Sequence, residues 1–208
     1  MKISYAITVC NELEEVENLI KFLYLNKRTE DEICVLLDKP KASPYLIDRL
    51  YRFSSADWIT LKESAFQNDF SKWKNELNAM CKGNYIFNID ADEMPAETLI
   101  KYLPQILQDN PDVKSYAVPR VNTVEGLTED HIKRWNWRVN ESQWINYPDY
   151  QNRIYKNDPD IYWINKVHER LNVWQDTWPL PMDTQDWVIY HPKDIERQEK
   201  QNNYYDTL

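Results

Sequence analysis

Glycine is nearly missing from this chain of 208 residues; only Gly83 and Gly126 are present. Loops that wrap phosphates in backbone amides need clustered glycines, so a P-loop and a G-x-G-x-x-G dinucleotide fingerprint are both excluded. Cysteine is scarce too. Cys10, Cys34 and Cys81 are odd in number, lie in apolar or helical contexts and lack metal-ligand spacing. They read as small buried residues of a reducing compartment. No apolar run approaches the length of a membrane span. The start, Met1 to Cys10, is too short and too soon followed by acidic residues to be a signal peptide, so the expected location is cytoplasmic. Positive charge is in deficit: 25 Lys and Arg face 34 Asp and Glu, a net charge of −9. That balance argues against broad, non-specific nucleic-acid binding.

What is present fits one soluble domain over 1–208, long enough to bury a sizeable core. The charge is uneven. Residues 1–113 carry 13 basic and 19 acidic side chains, 114–174 carry 9 and 8, and 175–208 carry 3 and 7. Six of the nine tryptophans fall between Trp135 and Trp178. The near-neutral middle is therefore both the section best able to meet an anionic partner and the aromatic-rich one.

The first half alternates strands and helices. Ile3–Val9, Ile33–Leu37, Trp58–Leu61 and the run from Tyr85 to Ile89 are β-type and apolar. Between them, Glu12–Leu25, Pro44–Phe53 and Phe70–Cys81 carry apolar residues at helical spacing, and Pro95 to Leu107 reads as a fourth helix. This order implies an α/β fold with a mainly parallel sheet and helices on both faces. The second half changes character. Ser115–Val121, Ile132–Val139, Gln151–Tyr155, Ile161–Ile164, Leu171–Trp174 and Trp187–Tyr190 read as short strands, and Asp194–Tyr204 as a polar helix. The layout suggests a donor half (1–113) and an irregular acceptor half (114–208).

The most informative stretch is Tyr85-Ile86-Phe87-Asn88-Ile89-Asp90-Ala91-Asp92-Glu93. A buried strand that ends in carboxylates delivers charge to the carboxyl edge of a sheet, where open α/β folds bind ligands. Asp90 and Asp92 are two apart and share a side in extended chain. Hard oxygen donors suit Mg²⁺ or Mn²⁺ shared with substrate phosphates, which points to a nucleotide or sugar phosphate. The same cluster also fits a solvated strand end leading into a helix, with Pro95 to Leu99 as the helix start.

Chain order and motifs together resemble a family-2 glycosyltransferase of GT-A fold, of the short bacterial or phage type with an aspartate-x-aspartate-glutamate motif. Asp90-Ala91-Asp92-Glu93 matches that motif without change. The resemblance further implies nucleotide contacts at Asn11, Glu12 and Asp38. Asp69-Phe70 with Lys74-Asn75 matches a helix that commonly carries arginine where Lys74 stands, so a point charge replaces a bidentate phosphate contact. Tyr150-Gln151-Asn152-Arg153-Ile154-Tyr155 and Val167-His168-Glu169 match two later stretches of the family. The chain is short for this fold.

The resemblance implies sugar transfer from a nucleotide donor, a UDP-sugar first among them, with Mn²⁺ or Mg²⁺ on the diphosphate leaving group. Asp92 is then the preferred direct ligand, Asp90 is shared with the ribose, and His191, at the end of Trp187–Tyr190, is the third. His191 also fits a cap or surface imidazole before Pro192. Inverting transfer needs a base for the acceptor hydroxyl; Glu169 is the first candidate and Asp149 the reserve. Glu169 also fits a strand-edge residue paired with Arg170 or Lys166. Lys74 and Arg153 are candidate diphosphate partners, or surface charges. His131 reads as exposed. Trp135, Trp137, Arg138 and His168 are candidate acceptor contacts, because aromatic faces stack on sugars and on bases; core packing is the commoner use of Trp. The acceptor is a saccharide or a lipid-linked saccharide, or alternatively hydroxymethylated cytosine in DNA, which needs base flipping. A nucleotidyltransferase is a further alternative, but Cys10 to Glu14 is not its Gly-rich loop. A non-catalytic carbohydrate-binding module would leave the βα half without purpose.

Overall fold

The computed structural model describes residues 1–205, the side chains of 201 and 203–205 excepted. Its first half is built from β1 (Ile3–Val9), α1 (Leu13–Asn26), β2 (Glu32–Asp38), α2 (Pro44–Phe53), β3 (Ile59–Ser64), α3 (Phe70–Asn78), β4 (Tyr85–Asp90), the two-residue β5 (Met94–Pro95) and α4 (Glu97–Asp109). Each helix has a local cause. Val16, Leu19, Ile20 and Leu23 of α1 are buried at helical spacing. Ser43 caps α2 by accepting from the Leu46 amide, with Pro44 at the first helical position. Asp69 caps α3 by accepting from the Lys72 amide at 3.1 Å. That helix stops at Asn78, earlier than its apolar spacing predicts. Met80 and Cys81 turn instead, their amides bonding to Leu77 and Asn78. The turn brings Gly83 onto β1, where a Cβ would lie 2.7 Å from the Ser4 backbone nitrogen, so only glycine fits.

The second half comprises β6 (Ser115–Glu125), α5 (Glu129–Trp135), β7 (Ile145–Lys156), β8 (Trp163–Ile164), β9 (Arg170–Leu171), β10 (Thr177–Pro179), β11 (Ile189–Asp194) and α6 (Ile195–Tyr205). Expected strands are corrected in three places. Ile132–Val139 is not a strand: Thr128 and His131 form a reciprocal capping box, and α5 ends at Asn136 in the left-handed region. Trp174 opens a 3-10 turn, Trp174–Asp176, leaving Arg170–Leu171 as the strand. Trp187 closes another, Gln185–Trp187, and the strand runs on to Asp194.

Both halves enter one nine-stranded sheet, ordered β3-β2-β1-β4-β7-β6-β11-β5, with β10 beside β6. β3, β2, β1 and β4 are parallel, whereas β7 runs antiparallel between β4 and β6. One face packs Tyr5, Ile7, Val35 and Phe87 against α1, α2 and α4; the other packs Ala6, Cys34, Leu36 and Ile86 against Trp73, Leu77, Tyr155 and Trp163. No helix among the described residues is long and apolar enough to cross a membrane. Cys34 and Cys81 are buried as expected, but Cys10 is half-buried.

Candidate active site

The parallel strands β1, β2 and β4 finish at the same sheet edge, with Thr8 in register with Asp90 and Val9 with Leu37. A cleft of about 920 Å³ opens there. Asp38, Lys74, Asp90, Asp92, Arg153 and His191 face it, and so do Glu12, Trp137, His168 and Glu169.

Asp90 is engaged on both oxygens. Arg153 Nη2 reaches Oδ2 at 2.5 Å, while Lys74 Nζ lies 3.9 Å and the Thr8 hydroxyl 3.5 Å from Oδ1. Burial opposes the charge, but Arg153 and then Lys74 outweigh it and hold this carboxyl well below the usual range. The same Arg153 nitrogen bonds Glu93 Oε1, and Arg153 Nη1 reaches the buried Asn88 Oδ1 at 3.3 Å. Glu93 also accepts from the Asp90 amide and from Arg120. The acidic turn is thus neutralised by cations delivered from β6 and β7.

Asp92 faces another way. His191 Nε2 is 3.2 Å and Arg197 Nη2 3.0 Å from its Oδ2. Burial raises this carboxyl, but the His191 hydrogen bond and charge outweigh it and hold it at about 2. Arg197, on α6, also pairs with Glu15 and Glu12 of the first helix and its entry. His191 is buried, with Nδ1 2.8 Å from Asn122 Oδ1, so it is neither a helix cap nor a surface group.

Among the described residues, no three His, Cys, Asp or Glu side chains converge as a metal-holding group. The expected set is therefore reduced. Asp90 is drawn into the Arg153 pair, leaving Asp92 and His191. That pair does fit a divalent cation. Cis ligands of an octahedral ion at about 2.1 Å stand roughly 3.0 Å apart, close to the 3.2 Å found. Phosphate oxygens and water commonly supply the remaining ligands of Mg²⁺.

Residues 4–203 match the model of glycosyl transferase family 2. The chain belongs to glycosyl transferase family 2. Its fold is that of solved GT-A enzymes. S. aureus TarS 1–349 superposes with a TM-score of 0.60 at 14% identity, covering 92% of this chain and 60% of that one. The same TarS segment in complex with UDP-GlcNAc gives 0.56 at 17%, covering 93% and 59%. At such identity the likeness shows the fold alone. The chain spans about 60% of the length of TarS 1–349. No curated protein matches it.

In this family-2 chain the remaining candidates separate. Glu12 Oε2 accepts from the amides of Cys10 and Asn11 and so shapes the turn after β1. Asn11 itself is exposed and does not line the cleft. Asp38 accepts from the Phe66 amide at 3.1 Å and lies 3.7 Å from Lys41. Asp69 caps α3 and bonds Ser71, away from the cleft lining. Glu169 pairs with Lys74 at 2.7 Å, not with Arg170 or Lys166. Lys74 is buried, is no surface charge, and sits 4.4 Å from the Trp163 ring centroid. Asp149 does not line the cleft; Arg120 and Asn122 take Oδ2, and Gln151 takes Oδ1. Trp137 reaches the cleft, whereas Trp135, stacked on the half-buried His131, and the exposed Arg138 do not.

Sequence reasoning missed Arg120, Asn122 and Arg197. The first two alternate at the end of the apolar β6 run, a signal of polar side chains arriving together at a sheet edge. Arg197 carried no such signal within its polar helix.

Proposed function

We propose that the chain transfers a sugar from a UDP-sugar to a saccharide hydroxyl, with inversion, in the cleft at the end of β1, β2 and β4. The observation that carries this reading is the meeting of Asp90, Asp92, His191, Lys74 and Arg153 around that cleft in a chain of glycosyl transferase family 2. TarS, whose fold it shares, has been solved with UDP and with UDP-GlcNAc.

Asp38, at the end of β2, faces the nucleoside. Asp92 and His191 would hold Mn²⁺ or Mg²⁺, which would supply Lewis-acid positive charge for the departing diphosphate. Lys74 meets the same diphosphate as a point charge. Arg153 acts one step behind, keeping Asp90 ionised and fixed for the ribose. Glu169 takes the acceptor proton. Its carboxylate is tied to Lys74 until diphosphate offers that ammonium a second anion. Trp137 and Tyr150, on the cleft wall, offer faces for an acceptor sugar. The net charge of −9 disfavours duplex DNA as acceptor.

The test is release of the donor's own nucleotide (UDP, GDP or CMP) from a panel of UDP-, GDP- and CMP-sugars with Mn²⁺, alongside thermal shift. The right donor with Mn²⁺ stabilises the fold by mass action and is turned over above the uncatalysed rate. A panel with neither effect sinks the reading.

A further inference from the structure

A line of hydrogen bonds leaves the proposed cation pair and ends in a carboxylate that the transfer reaction does not use. Asn122 Nδ2 donates to Asp149 Oδ2 at 2.9 Å, and Asn122 Oδ1 lies 2.8 Å from His191 Nδ1. The two contacts fix each other. An ionised carboxylate only accepts, so the amide nitrogen of Asn122 must face Asp149 and its carbonyl oxygen must face His191. A carbonyl oxygen also only accepts, so His191 Nδ1 must carry a proton. The neutral ring then carries its lone pair on Nε2, the nitrogen 3.2 Å from Asp92 Oδ2, and only the charged imidazolium donates to that carboxylate. Two acceptors at that distance repel unless a cation or a proton stands between them.

Asp149 is itself firmly placed. Arg120 donates to Oδ2 through Nε at 2.9 Å and Nη2 at 2.7 Å, and Gln151 donates to Oδ1 at 2.7 Å. Arg120 and Asn122 share β6, and Asp149 faces Arg120 from β7. The anchor is therefore a sheet-borne unit, while His191 comes from the next strand, β11, in register with Asn122.

We propose that Asp149 is a positioning residue: through Asn122 it holds His191 in the Nδ1–H tautomer, with Nε2 turned to Asp92 as a ligand for a divalent cation. The cation rests on the proposed function; the tautomer does not. The arrangement is the outer-shell support that metal-binding imidazoles commonly have, here passed through an amide instead of a direct carboxylate contact.

The full chain is labelled with ¹⁵N at histidine, and long-range ¹H–¹⁵N correlations are read at a pH where the imidazoles are neutral. His191→Gln identifies the signal. Wild type should show Nδ1–H, and so should Asp149→Asn, whose amide oxygen still accepts from Asn122. Asp149→Leu frees the Asn122 amide to turn over and should shift His191 toward Nε2–H. A merely structural Asp149 would leave the tautomer alike in all variants. Where Asp149→Leu does not fold, Asn122→Leu replaces it, since it spares the Arg120 pair and removes the Nδ1 acceptor. Mn²⁺ affinity, measured with UDP present, should fall about 10- to 100-fold in the Leu variants and be largely kept in Asp149→Asn. An Nε2–H ring in wild type, or one tautomer throughout, overturns the proposal. A wild type that shows Nδ1–H but takes up no Mn²⁺ sinks the cation part of the functional reading and leaves the positioning role standing.

Discussion

Arg153 on β7 is bonded to Glu93, in the turn after β4, with Nη2 2.5 Å from Oε1 and the Glu93 side chain wholly buried. The same nitrogen holds Asp90 at 2.5 Å. Removing the buried guanidinium takes the nearest counter-charge from both carboxylates, leaving Glu93 with Arg120 and Asp90 with Lys74 at 3.9 Å. Arg153→Met is therefore expected to cost about 3–5 kcal/mol of stability, read by urea unfolding. Arg153→Lys should recover only a small part of it, because one ammonium does not reproduce the planar fork that serves Asp90, Glu93 and Asn88. Wild-type stability in Arg153→Met would show that the pair is incidental.

Asp92 is the carboxylate left facing His191 and the cleft. Asp92→Asn keeps its shape and loses its charge. UDP release should fall by roughly a hundredfold or more, since the lost Lewis-acid stabilisation is worth several kcal/mol and each 1.36 kcal/mol is tenfold. Circular dichroism should be unchanged. Full turnover in this variant, or in excess EDTA, removes the cation from the mechanism.

Glu169 is expected to act on the acceptor and not on the donor. Glu169→Gln should lower kcat by about 10²–10⁴ with little change in the KM for the UDP-sugar. Lys74→Met should raise that KM and lower kcat as well, because it removes a diphosphate contact and leaves Glu169 without its 2.7 Å partner. The same kinetic profile in both variants would argue that the pair acts as a structural strut.

Glu32 sets part of the acid limit of the fold. Burial raises its carboxyl, but Lys2, the Ser4 hydroxyl and the Lys82 amide outweigh that and lower it below the ordinary glutamate value. A lowered carboxyl stabilises the fold above its unfolded value, about 4.3, and loses that contribution as the pH falls through the folded one. The melting temperature of wild type should therefore drop below about pH 4.3, and Glu32→Gln should drop less steeply from a lower plateau. Parallel curves for the two proteins would mean that Glu32 has no part in the acid limit.

Much of the donor side was legible because its signals are local. The apolar runs of β1, β2 and β4, the helical spacing of α1 and the carboxylates after Ile89 each lie within a few residues. Which carboxylate a cation would find was not legible. Asp90 meets Arg153 across 63 residues, and that pairing exists because β7 inserts antiparallel beside β4. Helix α5 was missed because Ile132, Trp135, Trp137 and Val139 look β-like, while its capping box uses His131 where Glu or Gln is the usual partner. Reading Glu169 against Lys166 and Arg170 failed for a similar reason: proximity in sequence favoured neighbours, and the fold supplied Lys74 from α3.

The placement of β7 also bears on synthesis. A nascent chain that has emerged as far as residue 113 contains the acidic turn but not Arg120 or Arg153, and Tyr85–Asp90 is then a sheet edge without its outer neighbour. Bare edges pair with whatever strand arrives first. We expect a 1–113 fragment to associate at neutral pH, as read by sedimentation, and a monodisperse fragment would refute this. The ribosome must deliver some forty further residues before that edge gains Arg153, and nearly eighty before His191 arrives at the site.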